Sequence, residues 1–256
     1  MDFSKVKAIV TGGASGLGEA TVRHIASSGG QAAIFDLNEE RAKQLEEEFG
    51  GGKVSYFGTD VTNAAQVEKN IELAVEHFGA INLVVNCAGI GTPGKVVSKG
   101  QPLALDRFEK VIQVNLIGSF NVLRVAAAAM QKNEPNEDGE RGVIISTASV
   151  AAFEGQIGQA AYSASKGGIV SMTLPIAREF ARAGIRVMAI APGLMKTPMF
   201  DGLPESAIES LSASVPFPAR LGKPEEYAKL VESIVENPLL NGEVIRLDGA
   251  IRMQPK

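Results

Sequence analysis

The sequence predicts a doubly wound α/β fold, with seven parallel strands in one sheet and helices on both faces. Short β-branched runs alternate with longer stretches of helical period from end to end of the 256 residues, and right-handed crossovers would place the helices on the two faces. Several runs are apolar throughout, as in Leu83, Val84 and Val85, which suits strands covered on both sides. No linker-like stretch divides the chain, so residues 1–256 are expected to form one domain.

In chain order the strand-like runs are residues 6–11, 31–36, 53–58, 81–86, 143–148, 186–191 and 243–247, with helical patterns between them. Two stretches interrupt this rhythm. Residues 91–102 are rich in Gly, Pro and Lys, residues 132–142 read KNEPNEDGERG, and both are expected as surface loops. A proline-rich region, 192–224, follows the sixth strand and is expected to form a lid beside the strand ends, where ligands of such sheets bind.

Composition narrows the function classes. The 25 Lys and Arg against 29 Asp and Glu leave a net charge of -4, so no general field draws nucleic acid or an anionic membrane. Neither is expected as a partner. Cys87 is the single cysteine, which excludes an internal disulfide scaffold and favours a reducing compartment. Only residues 1–5 precede the first strand, and no run approaches the roughly 18 apolar residues of a membrane span, so a soluble protein without a leader is expected. His24 and His77 stand in helical patterns with no ligand cluster around them, and no metal is expected.

Directly after the first strand comes Thr11-Gly12-Gly13-Ala14-Ser15-Gly16-Leu17-Gly18, leading into a helical pattern. Gly12, Gly16 and Gly18 would allow a tight turn, close approach of backbone to a pyrophosphate and close packing of helix on strand. The position between strand and helix fits a Rossmann-type dinucleotide turn, although the spacing is G-x-x-x-G-x-G rather than G-x-G-x-x-G, and an ordinary glycine-rich turn is the alternative. Asp36 closes the second strand 18 residues past Gly18. A carboxylate there accepts hydrogen bonds from a ribose 2′-hydroxyl and repels a 2′-phosphate, which favours NAD over NADP; its competing use is as a cap for the helix beginning near Glu39.

Tyr162 and Lys166 stand four apart in one long helical pattern and so share a face. A phenol titrates near 10, and making it a base near neutrality takes about 4 kcal/mol of differential stabilisation. The neighbouring ammonium and the positive nicotinamide of oxidised cofactor are the expected sources. Upstream, the fifth strand ends in Ser146-Thr147-Ala148-Ser149. Ser149 is the preferred holder of a substrate oxygen, with Ser146 and Thr147 as chemical competitors and a plain strand-end turn as the alternative.

With TGGASGLG, Asp36, Asp60-Val61, NCAG from Asn86, VNLIG around Asn115, Ser149, YSASK and APG from Ala191, the chain resembles the short-chain dehydrogenase/reductase family along nearly its whole length. The resemblance implies a single-domain Rossmann fold, a homotetramer, and Asn115, Ser149, Tyr162 and Lys166 as a catalytic tetrad. It further implies cofactor contacts from Gly12, Ser15, Gly16, Leu17, Gly18, Asp36, Asp60, Val61, Cys87, Ala88, Gly89, Tyr162, Lys166, Pro192, Gly193 and Thr197, with Asn115 holding a water between Lys166 and solvent. Where the family usually has NNAG, Cys87 replaces an asparagine; it is expected to be a small residue beside the cofactor with no nucleophilic duty. The segments around 148–170, VPFPARLG and NGEVIRLDGAIRMQP resemble the 3-hydroxyacyl-CoA dehydrogenase branch of the family. That branch implies NAD-dependent interconversion of 3-hydroxyacyl-CoA and 3-oxoacyl-CoA in acyl-CoA breakdown, in a bacterial cytoplasm or a mitochondrial matrix. A hydroxysteroid or broad secondary-alcohol dehydrogenase, and a noncatalytic NAD-binding scaffold, remain open alternatives. Lys95 and Lys99, in an inserted loop without acids, are read first as solvated loop lysines, with attraction of the phosphates of CoA as the alternative.

Overall fold

The computed structural model describes residues 1–198 and 204–255. Its main sheet takes strands β1 (Lys7–Thr11), β2 (Gln31–Asp36), β3 (Val54–Gly58), β4 (Leu83–Asn86), β7 (Gly142–Thr147), β8 (Ile185–Pro192) and β9 (Val244–Leu247). They lie in the order β3-β2-β1-β4-β7-β8-β9, every neighbouring pair parallel. Each expected strand is present to within a residue or two. The order reverses between β1 and β4, and a crevice opens there at the carboxyl ends.

Apolar strands make sense because consecutive side chains enter opposite core layers. Val143 and Ile145 of β7 pack with α1 (Gly16–Ser27), α2 (Glu39–Phe49) and α8 (Pro224–Glu236), whereas Ile144 packs with α3 (Ala64–Phe78), α5 (Ser119–Met130) and α6 (Ala160–Phe180). Each such aliphatic contributes about 1.5–3 kcal/mol when fully buried. Pro224 opens α8 as its first residue, where a missing N–H costs nothing.

Three parts differ from the expectation. Residues 91–102 contain a hairpin, β5 (Val97–Ser98) with β6 (Gln101–Pro102), turned by Lys99 and Gly100 at φ 51° and 76°. Residues 132–142 are not wholly a surface loop, for Glu140 is buried and pairs at 2.7 Å with the buried Arg186 at the start of β8. That guanidinium also donates to the carbonyls of Ile234 and Val235, satisfying the last turn of α8. The expected lid is partly regular, with α7 (Glu205–Ala213) on the surface and a bridge between Met195 and Gly222 tying its two limbs; residues 199–203 of it lie outside the described residues.

One helical run is continuous from α4 (Leu105–Ile112) through a π-helical turn, Gln113–Gly118, into α5. By length and composition Leu105–Met130 is apolar enough to cross a membrane, but half of its apolar window is buried inside the fold, where Val122, Leu123 and Met130 face the sheet.

Candidate active site

The glycine turn between β1 and α1 is built by contacts that leave no room for side chains. Gly12 has φ 64°, and a Cβ on it would stand 2.9 Å from the Ala88 nitrogen; a Cβ on Gly18 would collide with the Gly12 carbonyl. Gly16, at φ 53°, needs glycine for its backbone conformation rather than for space. Thr11 Oγ1 accepts from the N–H groups of both Cys87 and Ala88, at 3.1 and 3.0 Å, and so locks the end of β1 to the NCAG strand end. This lock was not foreseen, although a threonine closing the strand just before the glycines is a visible signal. Ser15 occupies the cap position of α1 with its hydroxyl making no capping bond.

Along this turn runs a cavity of about 1080 Å³. Gly12, Ser15, Gly16, Leu17 and Gly18 form one end with Asp36; Asp60 and Val61 form a side; Cys87, Ala88 and Gly89 lead to Tyr162, Lys166 and Thr197. Asp36 is held in place by the N–H groups of Ala14 and Asn38, at 3.0 and 2.9 Å. It does not cap α2, because Asn38 does so through the Arg41 N–H. Asp60 accepts from the backbone and hydroxyl of Thr62, while the Val61 carbonyl accepts from Asn121. A glycine-rich backbone cradle at a helix N-terminus, ending in a fixed carboxylate, fits a nicotinamide dinucleotide.

Pro192 and Gly193 depart from the expectation. Neither lines the cavity: Pro192 is buried in β8, and Gly193 packs so closely on Asp248 that a Cβ would stand 2.9 Å from the Asp248 Cα. Cys87 lines the cavity. Its half-buried thiol lies 3.8 Å from the Tyr227 hydroxyl, and burial pushes it up, away from the reactive thiolate.

Tyr162 and Lys166 occupy the first turns of α6 and are both largely buried, with the ammonium 5.8 Å from the phenol ring centre. The Lys166 Nζ donates to the Thr147 carbonyl at 2.7 Å, and burial brings its pKa down to about 8. For Tyr162 the expectation is reversed in the protein alone. Burial pushes its phenol up, and a hydrogen bond with Ser149 opposes that without overcoming it. A positive charge in the cavity, as an oxidised nicotinamide would bring, favours the phenolate.

The three hydroxyls at the end of β7 separate cleanly. Ser146 accepts from Asn86, and Thr147 Oγ1 is bonded at 2.8 Å to Tyr227, whereas Ser149 is the one whose hydroxyl acts to lower the Tyr162 phenol. Ser149 Oγ also accepts from the Ala151 N–H, which fixes its orientation just behind the cavity wall. Asn115 sits fully buried in the π-helical turn. Its amide donates to the Ile90 carbonyl and to Ser165 Oγ, and its oxygen accepts from the Ile90 N–H. The Asn115 amide donors are thus spent on protein groups, and only the remaining acceptor lone pair is free for a water. The two histidines have plain partners: His24 meets Glu232 at 2.8 Å, and His77 meets Ser55 and the Gly51 carbonyl.

Residues 6–207 match the family model described as short chain dehydrogenase. This chain belongs to the short-chain dehydrogenase family. As a member it is an oxidoreductase that uses a nicotinamide cofactor. It is 55% identical over 254 residues to human 3-hydroxyacyl-CoA dehydrogenase type-2, covering 97% of this chain and 95% of the relative. Its identity to the protein of that name from Drosophila melanogaster is 52% over 249 residues, 96% of this chain and 97% of the relative. The crystal structure of 3-hydroxyacyl-CoA dehydrogenase type-2 from Mycobacterium avium superposes with a TM-score of 0.95 at 43% identity, covering 99% of this chain and 98% of that one.

This short-chain dehydrogenase has a second cavity, of about 560 Å³, between the inserted hairpin and the loop before α6. Lys95 lines it, and so does Arg107 of α4, whose Nη2 donates to the Pro93 carbonyl at 3.0 Å. Lys99 does not line it and instead turns the hairpin. Arg107 was not foreseen, since nothing local distinguishes it from any charged helix residue.

Proposed function

We propose that this short-chain dehydrogenase interconverts 3-hydroxyacyl-CoA and 3-oxoacyl-CoA with NAD. The observation that supports the reading is that Tyr162 and Lys166 line the dinucleotide cavity, with Ser149 acting on the phenol, while a second cavity carries Lys95 and Arg107. The cradle and Asp36 would hold the dinucleotide, and the bound nicotinamide supplies the redox step and a positive charge when oxidised. Tyr162 takes the proton of the substrate hydroxyl in oxidation and returns it in reduction. Ser149 holds the substrate oxygen and steadies its developing charge. Lys166, with a pKa near 8, moves a proton readily at cellular pH. Gly89 leaves space beside Asn115 Oδ1 and Lys166 Nζ, since a Cβ there would stand 3.3 and 3.6 Å from them, and a single water in that space would pass protons to solvent.

The acyl-CoA relatives support the substrate class, and Lys95 with Arg107 offers positive charge to the phosphates of CoA. Exposed Ile117, Phe120 and Leu174, on the helices of one face, support assembly through that face into a homotetramer. A lone, unpaired thiol suits a reducing compartment, a bacterial cytoplasm or a mitochondrial matrix. Purified protein, assayed for NADH-dependent reduction of acetoacetyl-CoA, free acetoacetate and a steroid ketone, decides the matter. The CoA ester is expected to have the highest kcat/KM; a higher value for the steroid overturns the substrate assignment.

A further inference from the structure

The loop between Ser149 and α6 is short and carries two glycines; its local bonds include Glu154 N–H to the Val150 carbonyl and Gln159 N–H to the Gln156 carbonyl. It runs through Phe153, Glu154, Gly155, Gln156, Ile157 and Gly158 to reach Tyr162. A second set of bonds reaches it from the other end of the chain. Arg246 of β9 grips both carboxylate oxygens of Glu154, at 2.8 and 3.1 Å, while its guanidinium lies over the Phe153 ring at 5.3 Å. Arg246 is itself oriented by Asp248 at 2.7 Å. Arg252 adds a second cation 3.3 Å from Glu154, and the Met253 N–H donates to the same carboxylate. The segment beyond β9 then bonds to the loop, with the Ile157 N–H donating to the Pro255 carbonyl and the Gln156 side-chain amide to the Gln254 carbonyl, both at 3.0 Å.

The loop passes this restraint on. The Gly158 carbonyl accepts from the Gly94 N–H at 2.8 Å, and Gly94 lies in the inserted segment that carries Lys95. Ile157 and Gly158 form one wall of the second cavity and Gly94, Lys95 and Arg107 the other. One continuous set of bonds therefore joins the end of β9 to both walls of the substrate side. The dinucleotide cradle, at β1, β2 and β4, receives none of it. The two-pronged arginine–carboxylate geometry supplies direction as well as strength, which a lone backbone bond would not.

We propose that Glu154, held by Arg246 and Arg252, is a positioning residue that sets the shape of the acyl-substrate cavity and so governs substrate KM independently of the cofactor. This rests on the substrate reading above. Glu154 touches neither reacting group; it acts through Ile157, Gly158 and Gly94.

The test is steady-state kinetics of the full chain with acetoacetyl-CoA and NADH. Glu154→Ala is expected to raise KM for acetoacetyl-CoA about tenfold while kcat and the NADH KM stay within about twofold. Arg246→Ala should do the same, and the double variant should be no worse than either single one, because both changes release the same loop. Glu154→Asp should recover part of the loss. Where Glu154→Ala does not fold, isosteric Glu154→Gln gives the same comparison. An unchanged acetoacetyl-CoA KM, or an equal rise in both KM values, overturns the proposal. If the parent prefers another ketone, the substrate reading fails, but the same split measured on that ketone still decides the role of Glu154.

Discussion

Two arginine–carboxylate clusters stand on neighbouring strands at opposite ends of the sheet, and they do different work. At the amino end, Arg186 and Glu140 are almost fully enclosed, with side chains 8% and 5% exposed. At the carboxyl end, Arg246 and Glu154 are 22% and 21% exposed and tie down a loop rather than a helix end. Enclosure raises both the Coulombic gain and the penalty of leaving one charge alone, so the first pair is a stability element. The second can be loosened at lower cost and sits where loosening changes a cavity. The same division holds for the molecule: the amino end of the sheet keeps it folded, and the carboxyl end carries the chemistry.

The largest effect should come from the carboxyl end and leave stability untouched. Tyr162→Phe removes the proton acceptor without adding bulk, so turnover should fall by about a thousandfold or more, with cofactor binding and Tm near the parental values. Rates and a dinucleotide titration check this. Retention of near-parental turnover excludes Tyr162 as the proton-transfer group.

Glu140→Gln should show the opposite pattern. An unpaired Arg186 in the core should cost about 3–5 kcal/mol of stability, read as a lowered denaturation midpoint, while kcat at 25 °C changes little. A large loss of rate with unchanged stability would erase the contrast between the two ends.

Lys166 lies at the carboxyl end yet should affect both properties. In the unfolded chain its ammonium persists to the ordinary lysine value of 10.5, whereas in the folded protein it gives up its proton near 8. Below pH 8 the fold must bury a charge, and between the two values folding releases a proton, so stability rises with pH across that window. At pH 7, Lys166→Met should therefore be inactive but more stable than the parent, by up to about 3 kcal/mol. The difference should shrink as pH rises from 7 to 9.5, and denaturation at those values measures it. A constant difference would show that Lys166 is not buried as a strained charge.

Asp36→Ala should narrow the preference for NAD over NADP by about ten- to a hundredfold, because it removes both a ribose hydrogen bond and the repulsion of a 2′-phosphate. Comparison of kcat/KM for the two cofactors reads this directly. An unchanged ratio would mean that Asp36 serves only the Ala14 and Asn38 backbone.

The contrast between the ends also explains what could be read from the sequence. The strands were legible because β-branched runs such as Leu83 to Asn86 signal themselves locally, and so were Gly12, Gly18, Tyr162 and Lys166, whose function depends on short spacings. Glu140 was not, since its stretch is polar and its partner lies 46 residues away. Helical periodicity through VIQVNLIG does not distinguish a π-helical turn from an α-helical one, so the depth of Asn115 and its bonds to Ile90 and Ser165 were invisible. The phenol of Tyr162 shows the remaining limit. Spacing places a lysine on its face, but only the packed structure shows the phenol buried and pushed up.

The smallest predicted effect tests how far the functional end extends. Lys95 and Lys99 look equivalent in sequence, but Lys95 lines the second cavity with Arg107, whereas Lys99 stands at the hairpin turn with a left-handed backbone. An exposed cation that meets a CoA phosphate contributes modestly, and salt screens it over about 10 Å at 0.1 M. Lys95→Ala should therefore raise KM for acetoacetyl-CoA by about threefold at low salt and less at high salt, with kcat unchanged. Lys99→Ala should leave KM where it was. KM measured for both variants at two ionic strengths separates the cases. Equal, salt-dependent increases would mean that the hairpin acts as a diffuse positive surface, and no change in either variant would confine substrate recognition to the acyl side of the cavity.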